Sequence, residues 1–278
     1  MFKNIIYHKF SILLLLSCIV LYISFGYDLV RTDFIKLLSL FAALFFISWK
    51  LFQIEKFNWK MLFWAGIIFR LIFLFSIPNL SQDFYRFIWD GKLLLNGVNP
   101  YLFSPNELIS GGNIAFPEQN LLLEGMGGLS AGNHSNYPPL QQLLFAFGAF
   151  FTGKGIMGAL ITFRLLIISA EIGIFYFGRK LLRTLNLPEN NIFWYFLNPL
   201  VIIELSGNLH FEAVMLFFLL WSLFLLNKGK WFWSAVLFSC AVSIKLVPLL
   251  FLPLLWQFFY KKDPQQYLNL WKLFGFYF

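Results

Sequence analysis

The sequence predicts an all-α polytopic membrane protein, and three observations carry this prediction. Of its 278 residues, 59% are hydrophobic and only 12% are charged, whereas soluble domains carry about 25% charged residues. The apolar residues form runs close to the ~20 residues that a helix needs to cross a bilayer. The net charge of +8 comes from short basic clusters between those runs. This pattern is typical of membrane topology and excludes nucleic acid as a partner, so residues 1–278 are predicted to form a single transmembrane domain.

Three N-terminal crossings are predicted within residues 10–77, over the runs Phe10–Tyr27, Leu37–Ile54 and Trp59–Ile77. No small-x-small cleavage site precedes Asp28, so the first run is interpreted as a retained helix rather than a signal peptide. Short cytoplasmic loops collect Lys and Arg. The N-terminus is therefore predicted to be cytoplasmic, together with the basic residues Lys3, Lys9, Lys50, Lys56 and Lys60.

Residues 78–155 are then predicted to form a large extracytoplasmic loop. Before Leu140 this segment holds two basic residues against five acidic ones, which agrees with an outer location. The run Leu140–Thr152 has 13 residues and is too short to cross unaided. If it did cross, the cluster Arg179, Lys180 and Arg183 would lie outside. An interfacial or re-entrant helix is therefore predicted here.

Five further crossings are predicted within residues 156–260. The runs Ile156–Phe177, Ile192–Leu205 and Phe211–Leu226 supply three of them. Residues 231–260 would extend roughly 45 Å as one helix, well beyond a ~30 Å hydrocarbon core, and they are interrupted by Lys245 and Pro248. Two short helices are therefore predicted there. A last helix begins near Tyr267 and ends at residue 278 before it can span, which predicts a C-terminally truncated bundle.

The stretch over residues 81–101 follows the third run directly and predicts a short helix, with Ser81 as N-cap and Gly97 as C-terminal stop. Asp83, Arg86 and Asp90 share one face of that helix, since they are spaced at i, i+3 and i+7. In one interpretation Asp83 complements the helix dipole and pairs with Arg86. In the other, neighbouring aromatic residues leave the charges in a partly desolvated cleft, where a carboxylate can act as a general base.

Two later stretches also carry polar side chains. In residues 133–142, Tyr137-Pro138-Pro139 is rigid, because proline restricts itself and the residue before it. It is either a surface turn or a lip over a cleft that His134 and Tyr137 line. In residues 198–212, Glu204 is an intramembrane ionisable residue, which usually faces a cavity. The residues that follow it either bind a metal or a polar head group or form a solvated loop; they are Asn208, His210 and Glu212.

Lys245 is predicted at an outer bend between two short helices. Its ammonium group either snorkels to the head groups or binds a lipid phosphate. Three more charged residues, Arg70, Arg164 and Glu171, lie within or beside apolar runs. An Arg164–Glu171 pair at i, i+7 is predicted to have a structural use.

Four separated motifs resemble one family of membrane enzymes, the GT-C glycosyltransferases, and are most similar to bacterial polyprenol-phosphate-mannose-dependent mannosyltransferases and GPI-mannosyltransferase-like proteins. The resemblance covers about Ser81 to Pro253. The first motif combines Asp83-x-Tyr85-Arg86-x-x-Trp89-Asp90-Gly91 with Gly97-x-Asn99-Pro100-Tyr101. The others are Tyr137-Pro138-Pro139-Leu140, then Asn198-Pro199-Leu200 with Glu204 and His210-x-Glu212, then Lys245-x-x-Pro248.

The resemblance implies a GT-C-like helical bundle. It also implies an inverting transfer of a hexose from a polyprenyl-phosphate donor to a glycan or lipid acceptor, and the mannosyltransferases that it resembles most suggest that this hexose is mannose. The implied setting is the extracytoplasmic side of a bacterial inner membrane, with membrane lipid as a further partner. No cofactor is implied, and a divalent metal is left open. Asp83 and Asp90 are expected to be catalytic, and Arg86, Lys245 and His210 to bind the donor phosphate. The substrate cleft is expected to include Tyr85, Tyr101, His134, Tyr137, Glu204, Asn208 and Glu212.

Two functions from other classes remain as alternatives. A lipid or oligosaccharide flippase would also carry intramembrane charges, but transporters often show paired repeats with broken helices in corresponding positions, and only one broken segment is evident here. The second alternative is an inactive scaffold of envelope assembly.

Overall fold

The polypeptide is built from α-helices and shorter helical turns along the part of the chain that the computed structural model describes, namely residues 2–112, 115–153 and 155–255, with the backbone alone for residues 2–8. No strand occurs in these ranges. The predicted all-α membrane fold is thereby confirmed. The end of the last long run, at residues 256–260, and the helix expected from Tyr267 lie outside the described residues.

The first three helices follow the predicted N-terminal runs. They are α1 (Phe2–Tyr27), α2 (Phe34–Ile54) and α3 (Trp59–Leu71), and α3 continues into a 3-10 turn at Ile72–Phe75. Side-chain caps fix two of the starts, since Asp33 and Asn58 accept hydrogen bonds from backbone N–H groups in the first turns of α2 and α3.

Four shorter helices form the segment predicted as the outer loop. They are α4 (Asp83–Leu95), α5 (Pro105–Ser110), α6 (Gln119–Gly132) and α7 (Pro139–Phe150). The backbone reverses after α4 at Gly97, whose φ of 73° suits glycine, so the predicted stop is confirmed. The N-cap of α4 is Gln82, one residue later than predicted. The run predicted as a short helix is α7.

The helix α8 (Met157–Thr184) is 28 residues long and continues beyond the predicted run. The next run does not form the single helix that the sequence predicts over 192–205. It divides into a 3-10 turn (Glu189–Ile192), α9 (Phe193–Phe196), α10 (Pro199–Val201) and a π-helical turn (Ile202–Gly207). The reason lies at residues 198–199, because the proline disfavours helical backbone in the asparagine before it.

The chain then enters α11 (Glu212–Asn227) and α12 (Trp231–Val242), followed by a 3-10 turn at Val247–Phe251. Lys245 lies between α12 and this turn, so the predicted division of the last long run into short pieces is confirmed as far as residue 255. Within the described residues, three helices are long and apolar enough to cross a membrane, at Lys9–Tyr27, Phe34–Ile54 and Met157–Thr184. Pro199–Gly207 and Glu212–Asn227, bent by 114°, add a fourth candidate if they form one broken span.

Two hydrophobic cores share α8. One core contains Tyr22, Leu44, Phe69 and Phe196 from α1, α2, α3 and α9. The other joins α4, α6 and α7 to α11 and α12, and its centre is the aromatic cluster Phe87, Phe145, Phe163 and Phe211. Different residues of α8 enter the two cores, for example Phe163 in one and Phe175 in the other, so this helix connects the outer-loop helices to the N-terminal ones.

The buried charges pair differently from the sequence prediction. Glu171 pairs with Arg70 of α3, through contacts of 2.6 Å to Nε and 2.7 Å to Nη2, and not with Arg164. Arg164 instead donates to the carbonyl oxygens of Leu74, Ser206 and Gly207. Those oxygens lie where α3 and the π-helical turn end and lack intrahelical partners. The predicted Arg164–Glu171 pair is therefore wrong, because both side chains reach across to other helices.

Close packing of α4 on α7 depends on Gly91. A Cβ atom at this position would overlap the carbonyl oxygen of Phe145 and lie 2.8 Å from the Cβ of Ala149. We expect Gly91→Ala to destabilise the protein by about 1–3 kcal/mol, the usual range for overpacking. Thermal unfolding in detergent measures this effect. Gly128→Ala is the matched control because a Cβ there meets nothing within 4 Å, and equal losses in both variants would contradict the packing argument.

Candidate active site

Asp83 lies in the first turn of α4 and is exposed at the end of the segment that leaves α3. Its backbone N–H donates to the Ser81 hydroxyl at 3.3 Å. A carboxylate in the first helical turn is stabilised by the helix dipole. The aromatic residues that follow it, Phe84, Phe87 and Trp89, are buried in the core beneath. The amphipathic helix therefore presents Asp83 at the surface of a packed scaffold.

Tyr137 links Asp83 to the later motifs. Burial and then the nearby carboxylates, Asp83 first among them, raise the pKa of the Tyr137 phenol above its ordinary value, and Glu212 contributes as well. The ring packs edge-on against Phe87 and Phe145. Tyr137 is thus close to charged residues at the start of α4 and at the start of α11, and its role in lining a cleft stays a prediction. We call the surface around these side chains the candidate cleft.

Lys245 joins this group of charged side chains by pairing with Glu212. The backbone of the same turn is attached to α7, since the N–H groups of Leu140 and Gln141 donate to the carbonyl oxygen of Ser243 at 3.1 and 3.2 Å. Two motifs that are about a hundred residues apart therefore become neighbours. The ammonium group remains about half exposed, so it is accessible to an anionic ligand.

His210 lies in the bend between the π-helical turn and α11. Its Nδ1 atom is 3.2 Å from Glu204 Oε2, and Asp83 is near enough to interact electrostatically with it. The preceding residue, Leu209, has φ 62° and is fully buried, a backbone conformation rare for a residue with a branched side chain. Asn208 is buried beside Glu204. π-helical turns are frequent at functional sites.

Arg86 and Asp90 are buried and belong to a hydrogen-bonded network of their own. Arg86 Nε donates to Asp90 Oδ1 at 2.7 Å, and Nη1 donates to the carbonyl oxygens of Ser130 and Asn133, at the end of α6. The alternative in which Arg86 pairs with Asp83 is therefore wrong, because Asp90 is the i+4 neighbour and is fully buried. Burial raises the pKa of the Asp90 carboxyl, while Arg86 opposes that shift.

Sequence reasoning missed the other two partners of Asp90. Its Oδ2 atom accepts from Ser135 Oγ at 2.6 Å and from Gln142 Nε2 at 2.9 Å. Both residues flank the Tyr-Pro-Pro turn, so the network holds that turn against α4. Their polar character at the two ends of a rigid turn was the available signal. These contacts favour a positioning role for Asp90, and its catalytic role stays a prediction, as does phosphate binding by Arg86.

The remaining predicted cleft residues have separate surroundings. The Tyr101 hydroxyl donates to the Tyr137 carbonyl oxygen at 2.7 Å and so helps to fix the backbone of Tyr137. His134 faces Glu107 of α5, with 3.5 Å between Nε2 and Oε2. Tyr85 packs its ring on Gly125 of α6. The structure therefore groups Asp83, Tyr137, His210, Glu204, Glu212 and Lys245. Tyr101 and Asn208 contact members of this group, whereas the polar contacts of Arg86, Asp90 and His134 and the ring packing of Tyr85 lie outside it. Among the described residues, no cluster of three or more His, Cys, Asp or Glu side chains could hold a metal ion.

Long apolar helices and a charged cleft where several helices end together define a polytopic membrane protein with a polar site. The family model described as the N-terminal domain of alpha-(1->6)-mannopyranosyltransferases matches residues 20–260. The chain belongs to this family. The mannosyltransferase resemblance inferred from the motifs is thereby confirmed.

Two curated relatives agree with the family assignment. The alpha-(1->6)-mannopyranosyltransferase B of Corynebacterium glutamicum is 27% identical in an alignment that covers 62% of this chain and 30% of the relative. The alpha-(1->6)-mannopyranosyltransferase A of Mycobacterium tuberculosis is 25% identical over 66% of this chain and 34% of the relative. The chain thus spans about a third of the length of these relatives. No solved structure shows a significant match.

Proposed function

We propose that this protein transfers a mannosyl residue from a polyprenyl-phosphate donor to a hydroxyl group of a glycan or lipid acceptor on the extracytoplasmic side of the membrane. The observation that carries the proposal is a group of charged side chains around Tyr137: Asp83 and Glu212 are near enough to interact electrostatically with its phenol, and Lys245 pairs with Glu212. They occur in a chain of the mannopyranosyltransferase family. The names of the relatives favour an α-(1→6) linkage, and hence a primary hydroxyl as the acceptor.

Asp83 is the general base in this mechanism. It takes the proton from the acceptor hydroxyl while that oxygen attacks the anomeric carbon from the face opposite the phosphate. The bond from the anomeric carbon to the phosphate oxygen breaks, and its electron pair leaves with the polyprenyl phosphate. One displacement inverts the anomeric centre. The exposure of Asp83 permits direct contact with an acceptor, which the buried Asp90 does not offer.

In this mechanism Lys245, together with His210 when its imidazole is protonated, neutralises the departing phosphate. Negative charge develops there in the transition state, and fixed cations near it lower the barrier. Lys245 pairs with Glu212 and His210 with Glu204, so each cation is oriented by a carboxylate. A donor phosphate would compete with Glu212 for the ammonium group.

The lipid carrier explains why the cleft adjoins membrane helices. A polyprenyl phosphate delivers its sugar at the bilayer surface, where α4 begins directly after the α3 segment. The basic clusters support an extracytoplasmic position for Asp83. Asn190 donates to the Lys56 carbonyl oxygen at 2.9 Å, so the turn that follows the cluster Arg179, Lys180 and Arg183 is adjacent to the segment before α3. Asp83 follows the other end of α3.

The experiment that tests this function is mannosyl transfer from radiolabelled polyprenyl-phosphate mannose in membranes that contain the intact gene product. We expect labelled glycan or glycolipid to form, and to form more slowly by about tenfold in Lys245→Met, because one charged contact to phosphate is lost. A correctly inserted protein without transfer from mannose, glucose or arabinose donors would contradict the enzyme proposal and favour a flippase or a scaffold.

A further inference from the structure

A second charged groove lies at the end of α8 that is remote from Asp83. It has a volume of about 350 Å³, and its walls come from α3, α8 and the 3-10 turn that follows α8. Trp59, Phe63 and Tyr176 line it together with Arg179, Lys180 and Arg183. The mechanism of sugar transfer uses none of these residues.

The groove carries an excess of positive charge. Its one carboxylate, Glu189, pairs with both arginines, at 2.8 Å from Arg179 and 2.6 Å from Arg183. Lys180 makes no ion pair among the described residues and donates to the Tyr176 hydroxyl. Three cations face one carboxylate, so the site is electrostatically suited to an anion.

Aromatic rings orient two of these cations. The Arg179 guanidinium lies 4.9 Å from the ring centre of Trp59, and Lys180 Nζ lies 3.9 Å from that of Tyr176, both within the range of cation–π attraction. A cation–π contact occupies no N–H donor, so both side chains can still bind a phosphate. The remaining wall, at Phe63, Ile172 and Phe175, is apolar.

The groove also lies at a membrane boundary. α8 satisfies the length and hydropathy of a membrane span, and Arg179 and Arg183 lie in its last two turns. The segment 55–60, which includes the start of α3, is attached to the turn after α8 through Asn190. It places two more basic residues, Lys56 and Lys60, close to the groove in sequence. Basic pockets between membrane helices are suited to anionic head groups.

We propose that this groove binds an anionic phospholipid, with the phosphate on Lys180 and Arg183 and an acyl chain along the apolar wall. The lipid is favoured over a free phosphate because the cations border an apolar surface that a soluble anion leaves uncovered. This proposal is independent of sugar transfer.

The test is native mass spectrometry of the full protein in detergent, with phosphatidylglycerol or phosphatidylcholine of identical acyl chains. We expect phosphatidylglycerol to be retained preferentially. The double variant Lys180→Gln/Arg183→Gln is expected to weaken its binding by about tenfold or more. Lys180→Gln alone, which breaks no ion pair of the described residues, is expected to weaken it by a smaller factor without affecting folding.

The matched control is Lys50→Gln/Lys230→Gln, which removes two charges outside the groove. Lys230 belongs to the basic pair Lys228/Lys230, which the positive-inside pattern predicts to be cytoplasmic, as it does Lys50. Binding in this control is expected to equal that of the wild type. Equal retention of the two lipids, an equal loss in control and groove variants, or release of bound lipid by millimolar inorganic phosphate would each overturn the proposal.

Discussion

Replacing Asp83 with Asn is expected to reduce mannosyl transfer by about 10²–10⁴-fold, the usual contribution of a general base. The amide keeps the size and helical position of the side chain but cannot accept the proton of the acceptor hydroxyl. Asp83 is exposed, and its carboxylate accepts no hydrogen bond from the described residues, so the substitution is expected to cost the fold little. The initial rate of label transfer at saturating donor measures the effect.

Glu124→Gln is the matched control for this variant. Glu124 is an exposed carboxylate of α6 in the same predicted outer segment, and it belongs to none of the motifs. We expect its transfer rate to equal that of the wild type. Rates for Asp83→Asn within threefold of the wild type, at equal protein abundance, would show that Asp83 is not the base.

Removing the Glu171 carboxylate is expected to cost about 3–5 kcal/mol of stability, because Arg70 would remain charged and buried without its partner. Both side chains are fully buried. Glu171 also accepts from Ser206 Oγ at 3.0 Å, so the same loss loosens the π-helical turn that carries Glu204. For Glu171→Gln we expect a fall in melting temperature on the order of 10 °C, measured by thermal unfolding in detergent.

A double variant distinguishes the loss of the Arg70–Glu171 ion pair from a general intolerance of substitutions at these two positions. Arg70→Met/Glu171→Leu removes both charges, and replacing a whole buried pair by apolar residues costs far less than breaking it. We therefore expect the double variant to be more stable than Glu171→Gln. Glu189→Gln breaks two partly exposed pairs, with Arg179 and Arg183, and should cost less than about 1 kcal/mol for each pair. A double variant less stable than the single one would contradict this account.

Much of the candidate site could be predicted from the sequence because its motifs are local. The spacing of Asp83, Arg86 and Asp90 placed them on one helix face, and the structure confirms that helix. The division of the last apolar run could likewise be predicted, because Lys245 and Pro248 interrupt it. These features depend on helical periodicity and on the hydropathy of neighbouring residues.

The partners of those residues were not readable in the same way. Asp90 pairs with Arg86 and holds Ser135 and Gln142, and Glu171 pairs with Arg70 across 101 positions of the chain. Lys245 was predicted to meet a phosphate, and the structure also places Glu212 beside it. Each choice depends on which helices pack together, and hydropathy does not encode that.

The sequence by itself determined the fold class, the approximate positions of the long apolar helices and the family, since composition, apolar run length and short motifs are properties of consecutive residues. Only the tertiary structure decided that Asp83 lies exposed beside Tyr137 while Asp90 is buried below it, and that the segment at 192–205 is broken. The physical reason is that burial and ion pairing depend on contacts between distant segments. In a membrane protein, where most segments are apolar, many arrangements satisfy the same local pattern.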